Sequence, residues 1–67
     1  MDNTIPLTSR EVSIIRLIAQ GAKSPGIASE LGLNVETVKW YRKRILDKFE
    51  AATSAEVVRK AIELNLI

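Results

Sequence analysis

Residues 35–49 divide cleanly into two kinds when wound at about 100° per residue. Val38, Tyr41, Ile45 and Phe49 share one face, and Glu36, Lys39, Trp40, Lys43 and Asp47 fall on the opposite one. A helix with that partition must bury one side and show the other to solvent or a partner. The basic residues add a second constraint. Lys39, Arg42, Lys43, Arg44 and Lys48, half of the chain's 10 Lys and Arg, crowd this one element with only Asp47 opposing them among residues 39–48. A basic stripe on a single helix is the electrostatic footprint of phosphate binding, although a merely solvated face has the same composition.

The rest of the chain reads as three further helices. Thr8 and Glu11 are spaced as a capping box, with Leu7 and Val12 as its hydrophobic staple, and the helix extends over about 9–20 with Ile14, Ile15 and Ile18 inward. Gly21 ends it. Ser24-Pro25 places a favoured N-cap before a favoured first helical residue, predicting a two-turn helix over 25–32 with Ile27, Ala28 and Leu31 buried and Gly32 as its stop. Asn34 caps the 35–49 helix, with Leu33 and Val38 as a staple. Thr53 and Glu56 form a second capping box opening a helix over 54–64, which Asn65 closes in a left-handed conformation. No alternation of strand type occurs, so the expected class is all-α.

Sixty-seven residues suffice for one domain with a thin core. Without His or Cys, disulfides, imidazole bases and the common zinc sites are excluded. No nucleophile–base pair, metal site or room for a deep pocket points to an enzyme, a cofactor or a small-molecule ligand. The longest apolar runs are far too short to span a bilayer and the first residues lack a secretory pattern, so a cytoplasmic location with no membrane partner is expected. The net charge, +2, is too small to argue for nucleic acid by itself. The argument rests on where the charge lies.

A helix of about eight residues, a tight turn containing glycine and a longer basic helix together describe a helix-turn-helix. Ala28 is small where the two helices must cross, Gly32 is free to take a positive φ, and Ile27, Leu31, Val38 and Ile45 can lock the angle between them. The longer helix then presents its N-terminal half to a major groove wide enough to admit it.

At this point the chain also resembles a known family. Leu7-Thr8-Ser9-Arg10-Glu11, Leu17-Ile18-Ala19-Gln20-Gly21, Ile27-Ala28-Ser29-Glu30-Leu31-Gly32-Leu33, Thr37-Val38-Lys39 and Ile45-Leu46-Asp47-Lys48-Phe49 are similar, in order and spacing, to the signature blocks of the LuxR-type (LuxR/NarL-like) helix-turn-helix of bacterial transcription regulators. The resemblance covers residues 7–67 and leaves 1–6 as an N-terminal extension. It implies a four-helix domain whose third helix reads duplex DNA and whose fourth pairs two copies on an operator with two-fold symmetry, with RNA polymerase a further candidate partner. Such domains usually stand at the C-terminus of a longer regulator, and some stand alone.

Carried over position by position, the resemblance implies base-edge contacts from Lys39, Trp40 and Lys43. It implies phosphate contacts from Thr37, Arg42, Arg44, Lys48, Arg10 and Ser24, and a dimer seam at Val57, Ala61 and Leu64. Each role has a plainer alternative. The cations can be solvated charges, Trp40 can be half-buried beside a loop rather than packed on thymine methyls, and Val57, Ala61 and Leu64 can be core. For Glu11 the expected role is structural, through its cap.

The chain also departs from the family pattern. Ser24-Pro25-Gly26 lacks a common phosphate-contacting Lys, Ser13 and Tyr41 replace a Glu and a His, Ser54 replaces an Arg, and Glu50 stands where a Gly is usual. A positive φ at Glu50 would be strained, so the turn there is expected to differ from the family's. Two other functions remain open. One is a promoter-recognition domain like that of a sigma factor, with no symmetric dimer. The other is a protein-interaction module that pairs with and blocks another regulator.

Overall fold

The computed structural model describes residues 5–67; of the N-terminal extension, residues 1–4 lie outside it. Four helices follow one another: α1 (Ser9–Ala19), α2 (Ser24–Leu31), α3 (Val35–Phe49) and α4 (Ser54–Glu63). The described residues contain no strand. The helix ends differ from the expected ones by no more than a residue.

Helices of eight to fifteen residues are marginal by themselves, so their ends and their packing decide whether they form. At α1 the capping box is complete. Thr8 Oγ1 accepts from the Glu11 amide at 3.1 Å, and Glu11 Oε1 accepts from the Thr8 amide at 2.9 Å. Asn34 Oδ1 accepts from the Thr37 amide at 2.8 Å and caps α3. Two caps differ from expectation. Ser24 is the first residue of α2 rather than its cap; Lys23 holds the cap position with no side-chain bond, and the Ser24 hydroxyl accepts from Arg42 instead. At α4, Thr53 Oγ1 accepts from the Glu56 amide at 3.2 Å, but Glu56 Oε1 reaches one residue further back, to the Ala52 amide at 2.9 Å.

The C-terminal ends share one device. Gly21, Gly32, Glu50 and Asn65 all have positive φ, at 93°, 68°, 51° and 57°. After each, the next amide bonds five residues back, Ala22 to Leu17, Leu33 to Ala28, Ala51 to Leu46 and Leu66 to Ala61, at 2.8–3.0 Å. The same four residues Ala22, Leu33, Ala51 and Leu66 pack against the core. This is the Schellman closure, in which a left-handed residue frees the following amide to satisfy a carbonyl in the last turn. The expected departure at Glu50 is therefore corrected: the turn takes the left-handed form despite carrying a side chain. Lys60 Nζ supports it by donating to the Phe49 carbonyl at 3.0 Å.

Ile14 and Ile15 from α1, Ile27 and Ala28 from α2, Val38, Ile45 and Phe49 from α3, and Val57 and Ala61 from α4 make one buried cluster. α2 packs chiefly on α3, while α1 packs on α4 and α4 also rests on α3. Ala28 on α2 is buried in this cluster. This arrangement carries α3 across the domain with its far side uncovered.

Candidate nucleic-acid interface

The uncovered side of α3 carries the residues that the heptad-scale partition places there. Trp40 is 57% exposed, large for an aromatic with a core available. Lys39 and Lys43 are exposed beside it. Lys39 lies 3.8 Å from Glu36, but both side chains stand well out in solvent, so the pair is weak and leaves the ammonium available. Trp40, Lys43, Arg44 and Asp47 line a shallow, open concavity on this face. Sequence reasoning placed Asp47 on the face but assigned it no part in the site.

The other basic residues of α3 behave differently. Arg42 donates to Ser54 Oγ at 2.7 Å and to Ser24 Oγ at 3.4 Å, tying the first turns of α4 and α2 to α3. Lys48 Nζ donates to Glu11 Oε1 at 2.7 Å and to the Pro6 carbonyl at 3.0 Å. In this structure their guanidinium and ammonium groups serve as internal struts. The helical wheel explains why: at about 100° per residue both lie within about 80° of the Val38 line, at the margins of the buried face. Ser24 Oγ accepts the longer of the two Arg42 bonds and keeps its own O–H to donate. Arg10 remains exposed on α1, and Thr37 lies half-buried in the first turn of α3.

Glu11 is the hub of the arrangement, and only 1% of it is exposed. Besides the Thr8 amide and Lys48, it faces Arg44, whose Nε stands 3.4 Å from Oε2. Burial pushes the Glu11 carboxyl up, but the Lys48 hydrogen bond, the Thr8 amide and the Lys48 charge outweigh it and hold the carboxyl below its ordinary value. Glu11 thus stays ionised, and Lys48 is largely neutralised as a free positive charge. The capping spacing found the local half of this role. Its contact with residues 37 and 33 positions away left no mark in the local sequence.

On α4, Val57 and Ala61 are 1% and 0% exposed and take the plainer of their two expected roles, as core. Their i, i+4 spacing is the core stripe itself. The exposed apolar groups are Ile62 at 58% and Leu64 at 37%. Ile62 lies about 100° round the helix from Ala61, and its surplus over the core stripe was the available signal for it.

No helix among the described residues is long and apolar enough to cross a membrane. A family model described as bacterial regulatory proteins, luxR family, matches residues 5–61. The response regulator protein VraR of Staphylococcus aureus is 39% identical over 61 residues, covering 91% of this chain and 29% of that protein. The transcriptional regulatory protein DesR of Bacillus subtilis is 36% identical over 58 residues, 87% of this chain and 29% of that one. The chain therefore spans less than a third of the length of these relatives. Among solved structures, the Vibrio cholerae VqmA dimer, from work on LuxR-type receptors, superposes with a TM-score of 0.83 at 30% identity, covering 91% of this chain and 28% of that one. VraR and DesR are named as regulators. With its four-helix architecture and a match over nearly its whole length, this chain belongs to the luxR family of bacterial regulatory proteins and corresponds to the helix-turn-helix DNA-binding domain of such a transcription regulator.

Proposed function

We propose that the domain binds duplex DNA sequence-specifically, with α3 in the major groove, and that two copies act together on an operator of two-fold symmetry to regulate transcription in the cytoplasm. The observation that carries this reading is the exposed face of α3, where Lys39, Trp40 and Lys43 stand together with no other element over them. Lysine donors there suit guanine O6 and N7, and each well-made base contact discriminates by about 1–3 kcal/mol. Arg10 and Thr37 are the phosphate contacts this geometry supports best. Arg44, partly exposed, adds charge at the groove edge.

The pairing surface is Ile62 on α4 with Leu64 just past its end, in place of the buried Val57 and Ala61. Two exposed aliphatic groups on a short helix suit a small contact that DNA strengthens by holding two copies at fixed spacing. The VqmA neighbour, itself a dimer, supports the pairing of two copies.

The test is binding of the purified chain to random-sequence duplex at two salt concentrations, with selection from the bound pool. Salt-sensitive binding and an enriched two-fold motif are expected. Enrichment of an asymmetric motif by a monomer would favour promoter recognition of the sigma-factor kind. Self-association without salt-sensitive DNA binding would favour a module that pairs with another regulator.

A further inference from the structure

Trp40 is exposed but not loose. The Arg44 guanidinium carbon lies 5.5 Å from its ring centroid, within cation–π range. The Tyr41 ring meets it edge-on, with centroids 5.0 Å apart and planes at 81°. Arg44 is itself held from behind. Glu11 Oε2 is buried, has no hydrogen-bond partner among the described residues, and has Arg44 Nε as its ion-pair neighbour at 3.4 Å. A buried carboxylate oxygen without a hydrogen bond is costly, which gives it a standing attraction for that guanidinium.

We infer that Glu11 and Arg44 are positioning residues that hold Trp40 in a fixed orientation on the groove face, and that Trp40 so held reads the C5 methyl of a thymine. This rests on the DNA-binding reading above. In B-form duplex the base faces are stacked and closed to an indole. The apolar group that a base pair does present in the major groove is the thymine methyl. Trp40 is the aromatic member of the lining of the shallow concavity, beside Lys43, Arg44 and Asp47, and offers an apolar surface to such a methyl. A tryptophan already ordered in the free protein also escapes most of the ordering cost of an exposed side chain on binding.

The experiment uses a duplex selected by the chain itself, with each thymine replaced in turn by uracil, which deletes only the methyl. Burying one methyl corresponds to about a fourfold change in affinity, expected at one thymine per half-site and absent in Trp40→Ala. Arg44→Lys keeps the charge but loses the planar stack and the Nε contact. It should keep the salt dependence while losing the fourfold preference. Glu11→Gln should do the same, since glutamine can still complete a capping box. Trp40 is the chain's sole tryptophan, so its fluorescence anisotropy in the free protein reads its local mobility directly. It should fall in both variants while their circular dichroism stays helical.

Wild-type binding with no thymine preference, or variants that keep both the preference and the anisotropy, would overturn the inference and leave the DNA-binding reading standing. A wild-type chain that binds no duplex at all would overturn both.

Discussion

Lys48 Nζ sits 2.7 Å from Glu11 Oε1, joining the last turn of α3 to the first turn of α1 through a carboxylate that also caps α1. α3 is thereby fastened to α1 by a charge whose ionisation is favoured by that contact. Because the folded carboxyl is held below its ordinary value of 4.5, its stabilisation is complete above that value and is lost as pH falls through the lower, folded one. Glu11→Gln should cost about 1–2 kcal/mol at neutral pH and flatten the acid side of the stability curve. Thermal melts of both proteins from pH 7 to pH 3 check this; parallel curves would mean that another group carries the acid sensitivity.

Glu50 takes φ 51° with a side chain in place. Left-handed backbone costs a residue with a Cβ about 1–2 kcal/mol, and glycine's extra freedom in the unfolded chain returns part of that. Glu50→Gly should therefore stabilise the domain by about 0.5–1 kcal/mol, seen as a raised denaturant midpoint at constant slope. Gly32→Ala, at φ 68°, should do the reverse by a similar amount.

Arg42 is a strut between α2, α3 and α4 through Ser24 and Ser54. Arg42→Ala should lower stability by about 1–2 kcal/mol and leave the slope of log affinity against log salt unchanged. A slope reduced by nearly one unit would return Arg42 to the phosphate contacts.

Lys43 and Arg10 should separate base reading from backbone attraction. Lys43→Ala is expected to relax preference at one operator position, whereas Arg10→Ala weakens all sequences alike and lowers the salt slope. Competition with selected and scrambled duplexes distinguishes them. Equal, uniform losses from both would remove Lys43 from the base contacts.

Ile62→Glu should abolish pairing while changing stability by less than about 0.5 kcal/mol, since the side chain is mostly in solvent. Sedimentation with and without a two-site duplex measures it. Undiminished self-association would place the seam elsewhere.

The four helices were legible because each has its own start and stop chemistry within a few residues, and those signals depend on neighbours in the chain. The division of α3 was legible for the same reason. What escaped was relational. Nothing local to Arg42 or Lys48 says that two serines and a glutamate from other helices will take up their charges, and only their place at the margin of the buried face hinted at it. Val57 and Ala61 mislead in the opposite way. A stripe that marks a partner surface also marks a core, and only the contact with α1 and α3 decides between them. Glu50 shows a third kind of limit: a glycine is favoured at a left-handed position, yet the closure through Ala51 and Leu46 forms without one.

Three of the four Schellman closures lie between helices and make each connection a matter of a few residues, stapled to the helix it leaves. The chain therefore gains its tertiary contacts with little loop entropy to overcome. Such a domain is expected to fold in microseconds to milliseconds, as low-contact-order helical proteins do. Stopped-flow or temperature-jump relaxation should show one fast phase, and lengthening a connection should slow it only slightly, whereas breaking a closure should chiefly hasten unfolding.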